Sequence, residues 1–282
     1  MKDAWSPAVK VYGIVSLSGG QGKTTTAFFL GLHLAERGYK VLFLDADPQA
    51  NLTFYSGVHL PEGGGDLEKV FRGEDIQGSI YPLSWENLFI IPAGQNLARI
   101  NEYLASSGNG GRMLDRRLRQ IRDWFDYCII DAPPARSQIV LSVIGASTQI
   151  IIPFEVALKG TNCLIETINL LNDLSDLEIW RGELFGVVPF RDKWFGLNQA
   201  TDARENMEAV RQFLNNRVTI FPAILESTQY RAAIRQGVTL TAMGHPKLDV
   251  PFMEIIKKMG VDDHATHWPA GSPKKSGGIP QR

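Results

Sequence analysis

The chain has 282 residues, 44% of them hydrophobic and 21% charged, and 29 Lys+Arg against 30 Asp+Glu leave a net charge of −1. These values are those of ordinary globular proteins and exclude disorder over the whole length. No run of about 18 apolar residues is present, and the first residues carry no apolar stretch before a cleavage site, so a cytoplasmic, soluble chain without membrane attachment is expected. The two cysteines, Cys128 and Cys163, lack zinc-site spacing and are too few to frame a disulfide scaffold.

A β-branched run at residues 9–16 leads into a glycine-rich turn at 17–22. A helix is expected over 24–37, with Phe28, Leu30, Leu32 and Leu34 on helical spacing and Gly38 ending it. The apolar strand at 41–44 closes a βαβ unit. Further continuous apolar runs at 88–92, 127–131, 149–153 and 184–188 predict strands buried on both faces. Helical patterns at 113–125, 158–174 and 198–214 separate most of them. Strands alternating with helices predict an α/β fold: a doubly wound, mostly parallel sheet with helices on both faces. Residues 61–65 and 106–111 read as surface loops. From 264 to 282 apolar residues are scarce, which predicts a flexible tail behind a single domain spanning 1–263. Cys128 lies inside an apolar strand and is expected to face the core. Trp180, Trp194, Phe195 and Tyr230 are expected to be packing groups.

The segment Ser18-Gly19-Gly20-Gln21-Gly22-Lys23-Thr24-Thr25 lies between a predicted strand and a predicted helix, the context of a phosphate-binding loop. Glycines let backbone N–H groups converge on phosphate oxygens, and the helix N-terminus adds positive potential. Lys23 is placed to reach the β- and γ-phosphates, and the Thr24 hydroxyl to ligate Mg²⁺. Asp45 and Asp131 end apolar strands at the carboxyl edge of the sheet, where ligands of open α/β sheets bind.

The loop departs from the common G-x-x-x-x-G-K-T form, because Leu17 stands at the first glycine position. Gly19-Gly20-x-Gly22-Lys23-Thr24-Thr25, then Asp45-Ala46-Asp47-Pro48-Gln49 and Ile129-Ile130-Asp131-Ala132-Pro133-Pro134, resemble the ParA family of deviant-Walker ATPases. The resemblance extends over nearly the whole chain, through Ile90-Ile91-Pro92-Ala93-Gly94 and Gly186-Val187-Val188-Pro189, and implies a ParA/MinD-like P-loop NTPase fold. It implies ATP and Mg²⁺ as cofactors, with residues 19–25 (Gly19, Gly20, Gln21, Gly22, Lys23, Thr24 and Thr25) around the phosphates. Thr24, Asp45 and Asp131 would hold the metal, and Asp47 would position the attacking water. The adenine would lie near residues 189–192, with Pro189 and Arg191 as candidates.

Most of the family carries a signature lysine before the first glycine, which crosses a dimer interface to the partner's phosphates; here that residue is Ser18. A hydroxyl supplies no positive charge to a phosphoryl-transfer transition state. Lys159, opening a predicted helix at the same edge, is the first candidate substitute and Arg136 the second. This loss resembles the carboxysome-distributing branch of the family. The resemblance therefore implies a homodimer when ATP-bound, weak ATP hydrolysis, non-specific binding to nucleoid DNA, and release by a ParB-like or McdB-like adaptor. Arg231 and Arg235, four residues apart on a predicted helix, with Lys257 and Lys258, are the DNA-binding candidates. The alternative is a non-catalytic, nucleotide-gated scaffold that keeps ATP binding without the signature lysine.

Overall fold

The computed structural model describes residues 9–192, 194–195 and 198–261; the expected tail and the boundary at 263 lie outside them. In chain order the elements are β1 (Lys10–Ile14), α1 (Lys23–Glu36), β2 (Val41–Asp45), α2 (Asn51–Tyr55), α3 (Leu67–Arg72), β3 (Tyr81–Pro82), β4 (Leu88–Ile91), α4 (Ile100–Ser106), α5 (Gly110–Leu118) and β5 (Tyr127–Asp131). There follow α6 (Gln138–Ala146), β6 (Gln149–Glu155), α7 (Leu158–Asp176), β7 (Glu183–Asp192), β8 (Trp194–Phe195), β9 (Asn198–Gln199), α8 (Thr201–Leu214), β10 (Ile224–Leu225), α9 (Gln229–Gln236) and α10 (Pro246–Lys258).

Eight strands form one sheet in the order β10-β7-β6-β1-β5-β2-β4-β3, all parallel except β3, which runs antiparallel to β4 at the edge. This is the doubly wound sheet that the apolar runs predict. Every residue of β2, β4 and β5 is buried, because helices cover both faces. On one face α3 to α8 pack a core that includes Phe71, Leu114, Val140, Leu164 and Val210. On the other, α1, α9 and α10 pack Phe28, Phe29, Phe43, Tyr230 and Phe252.

Helix α1 is buried from Thr26 to Ala35 on all sides, as expected of a helix clamped between two layers. Gly31 lets it lie on the sheet, since a Cβ there would collide with the Phe43 ring. From outside, α10 covers it: Phe252 stacks on Phe29 with centroids 5.0 Å apart, and His33 Nε2 donates to Asp249 Oδ1 at 2.9 Å. Asp249 also accepts from the Thr241 amide.

Three expectations shift. The helix expected over 113–125 runs over Gly110–Leu118, which shortens the loop expected at 106–111. Its opening glycines serve packing, because α5 and α6 approach so closely that a Cβ on Gly145 would strike the Gly111 carbonyl. The helix expected from 198 starts at Thr201, after β8 and β9 pair as an antiparallel hairpin. Cys128, Trp180 and Tyr230 are buried as expected, while the side chains of Trp194 and Phe195 lie outside the described residues.

Candidate functional site: a phosphate loop beside two carboxylate-bearing strands

Strand β1 stops at Ile14, and the chain turns into α1 through a loop in which Gly20 (φ +80°) and Gly22 (φ +93°) are both left-handed, a conformation only glycine adopts freely. Gly22 caps α1 and lies against the Phe190 ring, which a Cβ would strike. Glycines in this conformation let the loop N–H groups turn toward the start of α1, the arrangement that anion binding uses. Lys23 is buried at 6% exposure. Its Nζ donates to the Ser16 carbonyl at 3.1 Å and the Ser18 carbonyl at 2.9 Å. Burial lowers its pKa, while the charges of Asp131 and Asp47 act to raise it. The ammonium is thus held against its own loop.

Beside the loop, β2 and β5 place Asp45 and Asp131 directly opposite each other in register. Asp45 is fully buried, and its carboxylate accepts from the Thr53 amide (2.7 Å), the Thr53 hydroxyl (2.7 Å) and the Asp47 amide (3.2 Å). Burial nevertheless pushes its pKa up to about 6. Asp131 is 1% exposed, and among the described residues neither of its oxygens receives a hydrogen bond of good geometry, although the Thr24 hydroxyl is near. Burial and the neighbouring Asp45 push its pKa well up, against the opposing pull of Thr24 and Lys23. A buried carboxylate is costly unless something pairs with it.

That orphaned carboxylate fits a cation. Two carboxylates and the Thr24 hydroxyl suit Mg²⁺, which keeps several waters and takes few protein ligands besides phosphate oxygens. Among the described residues no cluster of three His, Cys, Asp or Glu side chains makes a metal cage by itself. Asp47 stands in the loop after β2, buried, with its Oδ1 accepting from the Gln49 amide at 2.9 Å; burial raises its pKa.

Ser18 and Lys159 line one open cleft with Leu17, Asn162 and Glu166. Lys159 is exposed in the first turn of α7 and makes no ion pair among the described residues. Arg136 is exposed just beyond Ala135, whose φ of +100° is strained for a residue with a Cβ. Pro189 is buried near the end of β7; Arg191 is also left-handed (φ +54°), with its guanidinium 5.4 Å from the Phe190 ring.

Away from this edge, Arg231 and Arg235 are exposed on α9 and Lys257 on α10. Lys258 differs. Its Nζ donates to the Phe185 carbonyl (2.6 Å) and the Thr219 hydroxyl (2.7 Å) and lies 4.7 Å from the Phe185 ring. Phe185 is near the start of β7, so Lys258 fastens α10 to the amino edge of the sheet. Sequence reasoning gave no role to Thr53, which orients Asp45, or to Glu155, which meets the phosphate loop.

Parallel strands, a glycine loop capping a helix and two strand-end aspartates define a P-loop ATPase of the ParA/MinD-like fold. A family profile described as "AAA domain" matches residues 9–179. The chain is 45% identical over 254 residues to maintenance of carboxysome distribution protein A (McdA) of Gloeothece citriformis, covering 90% of this chain and 98% of that protein. The structure of an ATP complex of an aspartate-to-alanine variant of Cyanothece McdA superposes with a TM-score of 0.88 at 43% identity, covering 92% of this chain and 99% of that one. Sporulation initiation inhibitor protein Soj of Bacillus subtilis is 32% identical over 166 residues, 57% of this chain and 66% of Soj. The chain belongs to the McdA family, a branch of the ParA/Soj-type P-loop ATPases.

Proposed function

We propose that this protein is an ATP-hydrolysing positioning ATPase that pairs across bound ATP, binds nucleoid DNA without sequence preference, and is released by a McdB-like adaptor so that carboxysomes are distributed. The observation that carries the reading is the orphaned Asp131 carboxylate, set in register beside Asp45 and next to Lys23 and Thr24. The backbone of residues 19–25 and Lys23 hold the triphosphate, and Pro189 and Arg191 border the adenine. Thr24, Asp45 and Asp131 would hold Mg²⁺, which when bound would neutralise charge on the phosphates. Asp47 orients the attacking water and accepts its proton as the new P–O bond forms and the bond to the ADP oxygen breaks. Lys159, exposed on the cleft with Ser18, provides the cation that Ser18 does not, reaching the phosphates of a facing subunit.

The exposed pair Arg231 and Arg235, with Lys257, supplies the DNA-facing charge; Lys258 is already engaged with Phe185 and Thr219. Among the described residues no helix is long and apolar enough to cross a membrane. Ser18 itself favours a second reading, a nucleotide-gated scaffold without turnover. Phosphate release with DNA and adaptor separates the two. Wild type is expected to release phosphate, and Asp47→Ala and Lys159→Ala to abolish or sharply reduce it; unchanged release in both variants overturns the catalytic assignments.

A further inference from the structure

Gln21 stands between Gly20 and Gly22, so the phosphate loop has backbone freedom on both sides of it. A loop side chain in such a place is ordinarily solvated, yet Gln21 is 1% exposed. Its Oε1 accepts from the Glu155 amide at 2.7 Å, and its Nε2 donates to the Gly19 carbonyl at 3.3 Å. Glu155 is the last residue of β6. Its carboxylate pairs with Arg191 at 3.5 Å, and the next amide, of Val156, donates to the Phe190 carbonyl at 3.0 Å. The Phe190 ring packs on Gly22, which closes a circuit from the loop through β6 and β7 back to the loop. The same junction opens α7: Gly160 lies so close that a Cβ would meet the Glu155 carbonyl, and Lys159 precedes it.

We propose that Gln21 is a positioning residue that ties the phosphate loop to the β6–α7 junction, so that a nucleotide held by the loop fixes the first turn of α7 and with it Lys159. The phosphates themselves are gripped by backbone N–H groups and Lys23, so removing the Gln21 amide leaves affinity largely intact and loosens what lies behind it. The consequence for turnover rests on the role proposed above for Lys159; the mechanical tie does not.

The test uses the full chain and Gln21→Met, which keeps the side-chain volume and deletes both hydrogen bonds. The first measurement is hydrogen exchange over residues 155–160 with and without saturating ADP. Wild type is expected to slow on ADP addition, and Gln21→Met to show no slowing although its ADP affinity stays within about threefold of wild type. Equal protection in the two proteins overturns the tie. The second measurement is a double-mutant cycle on kcat. Gln21→Met is expected to lower kcat about tenfold, the size of one lost hydrogen bond to a buried amide, and to add little on top of Lys159→Ala. Full additivity overturns the coupling to Lys159. Wild-type turnover in Lys159→Ala alone overturns the Lys159 assignment and leaves the exchange result to decide the tie. Should the methionine variant not fold, Gln21→Asn, one methylene short of Glu155, is expected to give the same losses, and wild-type exchange and turnover in it overturn the proposal.

Discussion

Replacing Asp131 by asparagine separates the cost of the site from its use. Asp131 is buried, receives no hydrogen bond of good geometry among the described residues, and lies directly across the ladder from Asp45. Neighbouring strands lie about 4.8 Å apart, and two charges at about 5 Å in an effective dielectric of about 20 repel by roughly 3 kcal/mol. Burial pushes both carboxyls toward their neutral forms, which lessens this repulsion, and an asparagine still needs hydrogen bonds. A net gain of about 1–2 kcal/mol on Asp131→Asn is therefore expected. For a chain of this size that is about 2–3 °C in Tm. Added Mg-ATP reverses the order: ligand at about 100 times its Kd stabilises wild type by about 2.7 kcal/mol, and the variant is expected to gain little from the magnesium. Thermal denaturation of both proteins, without ligand, with ATP and EDTA, and with Mg-ATP, gives the readout. A lower ligand-free Tm for Asp131→Asn, or an undiminished magnesium-dependent shift, would refute the reasoning.

Other expectations follow from the same packing. Burial acts to raise the Asp249 pKa, but hydrogen bonds from His33 and Thr241 outweigh it and hold the value below the ordinary one. This contribution to stability is therefore present above about pH 4 and lost as pH falls through the lowered value. Asp249→Asn is expected to cost about 3 kcal/mol near neutrality and to flatten the acid limb of a Tm–pH curve; an unchanged limb counts against the pair. Gly145→Ala forces α5 from α6 and is expected to destabilise by roughly 2–3 kcal/mol in urea titration. Ala135→Gly relieves a left-handed alanine and is expected to raise stability by about 0.5–1 kcal/mol; a fall in Tm would deny the strain. Arg231→Glu with Arg235→Glu is expected to abolish retardation in a low-salt DNA mobility assay, and each phosphate contact removed should flatten the salt dependence by about 0.9 in log–log slope. Wild-type retardation places the DNA surface elsewhere.

Much of this arrangement is legible in the sequence because parallel strands covered on both faces must be continuously apolar, and Asp45 and Asp131 interrupt such runs where the sheet ends. The glycine loop announces itself for the same reason: positive φ at Gly20 and Gly22 leaves few other residues possible. Pairings between distant segments leave no such trace. Nothing local distinguishes the Glu155 amide as the partner of Gln21, and β3 and β10, two residues each, are too short to carry a period. Gly110 and Gly111 read as a loop because glycine marks turns, yet here they let two helices touch. Lys258 reads as surface charge, and only the fold shows its ammonium capping a carbonyl on a neighbouring strand.

The margins of the sheet have a further consequence. One border is a two-residue strand ending in Pro82, and the other is the two-residue β10. Proline offers no amide to an incoming chain, and so short a border gives a neighbour almost nothing to extend. Lateral growth into a continuous ribbon of subunits is thereby discouraged. Copies that associate would have to meet through surfaces other than a shared sheet, and any that met on the carboxyl side would press on the segments around the phosphate loop.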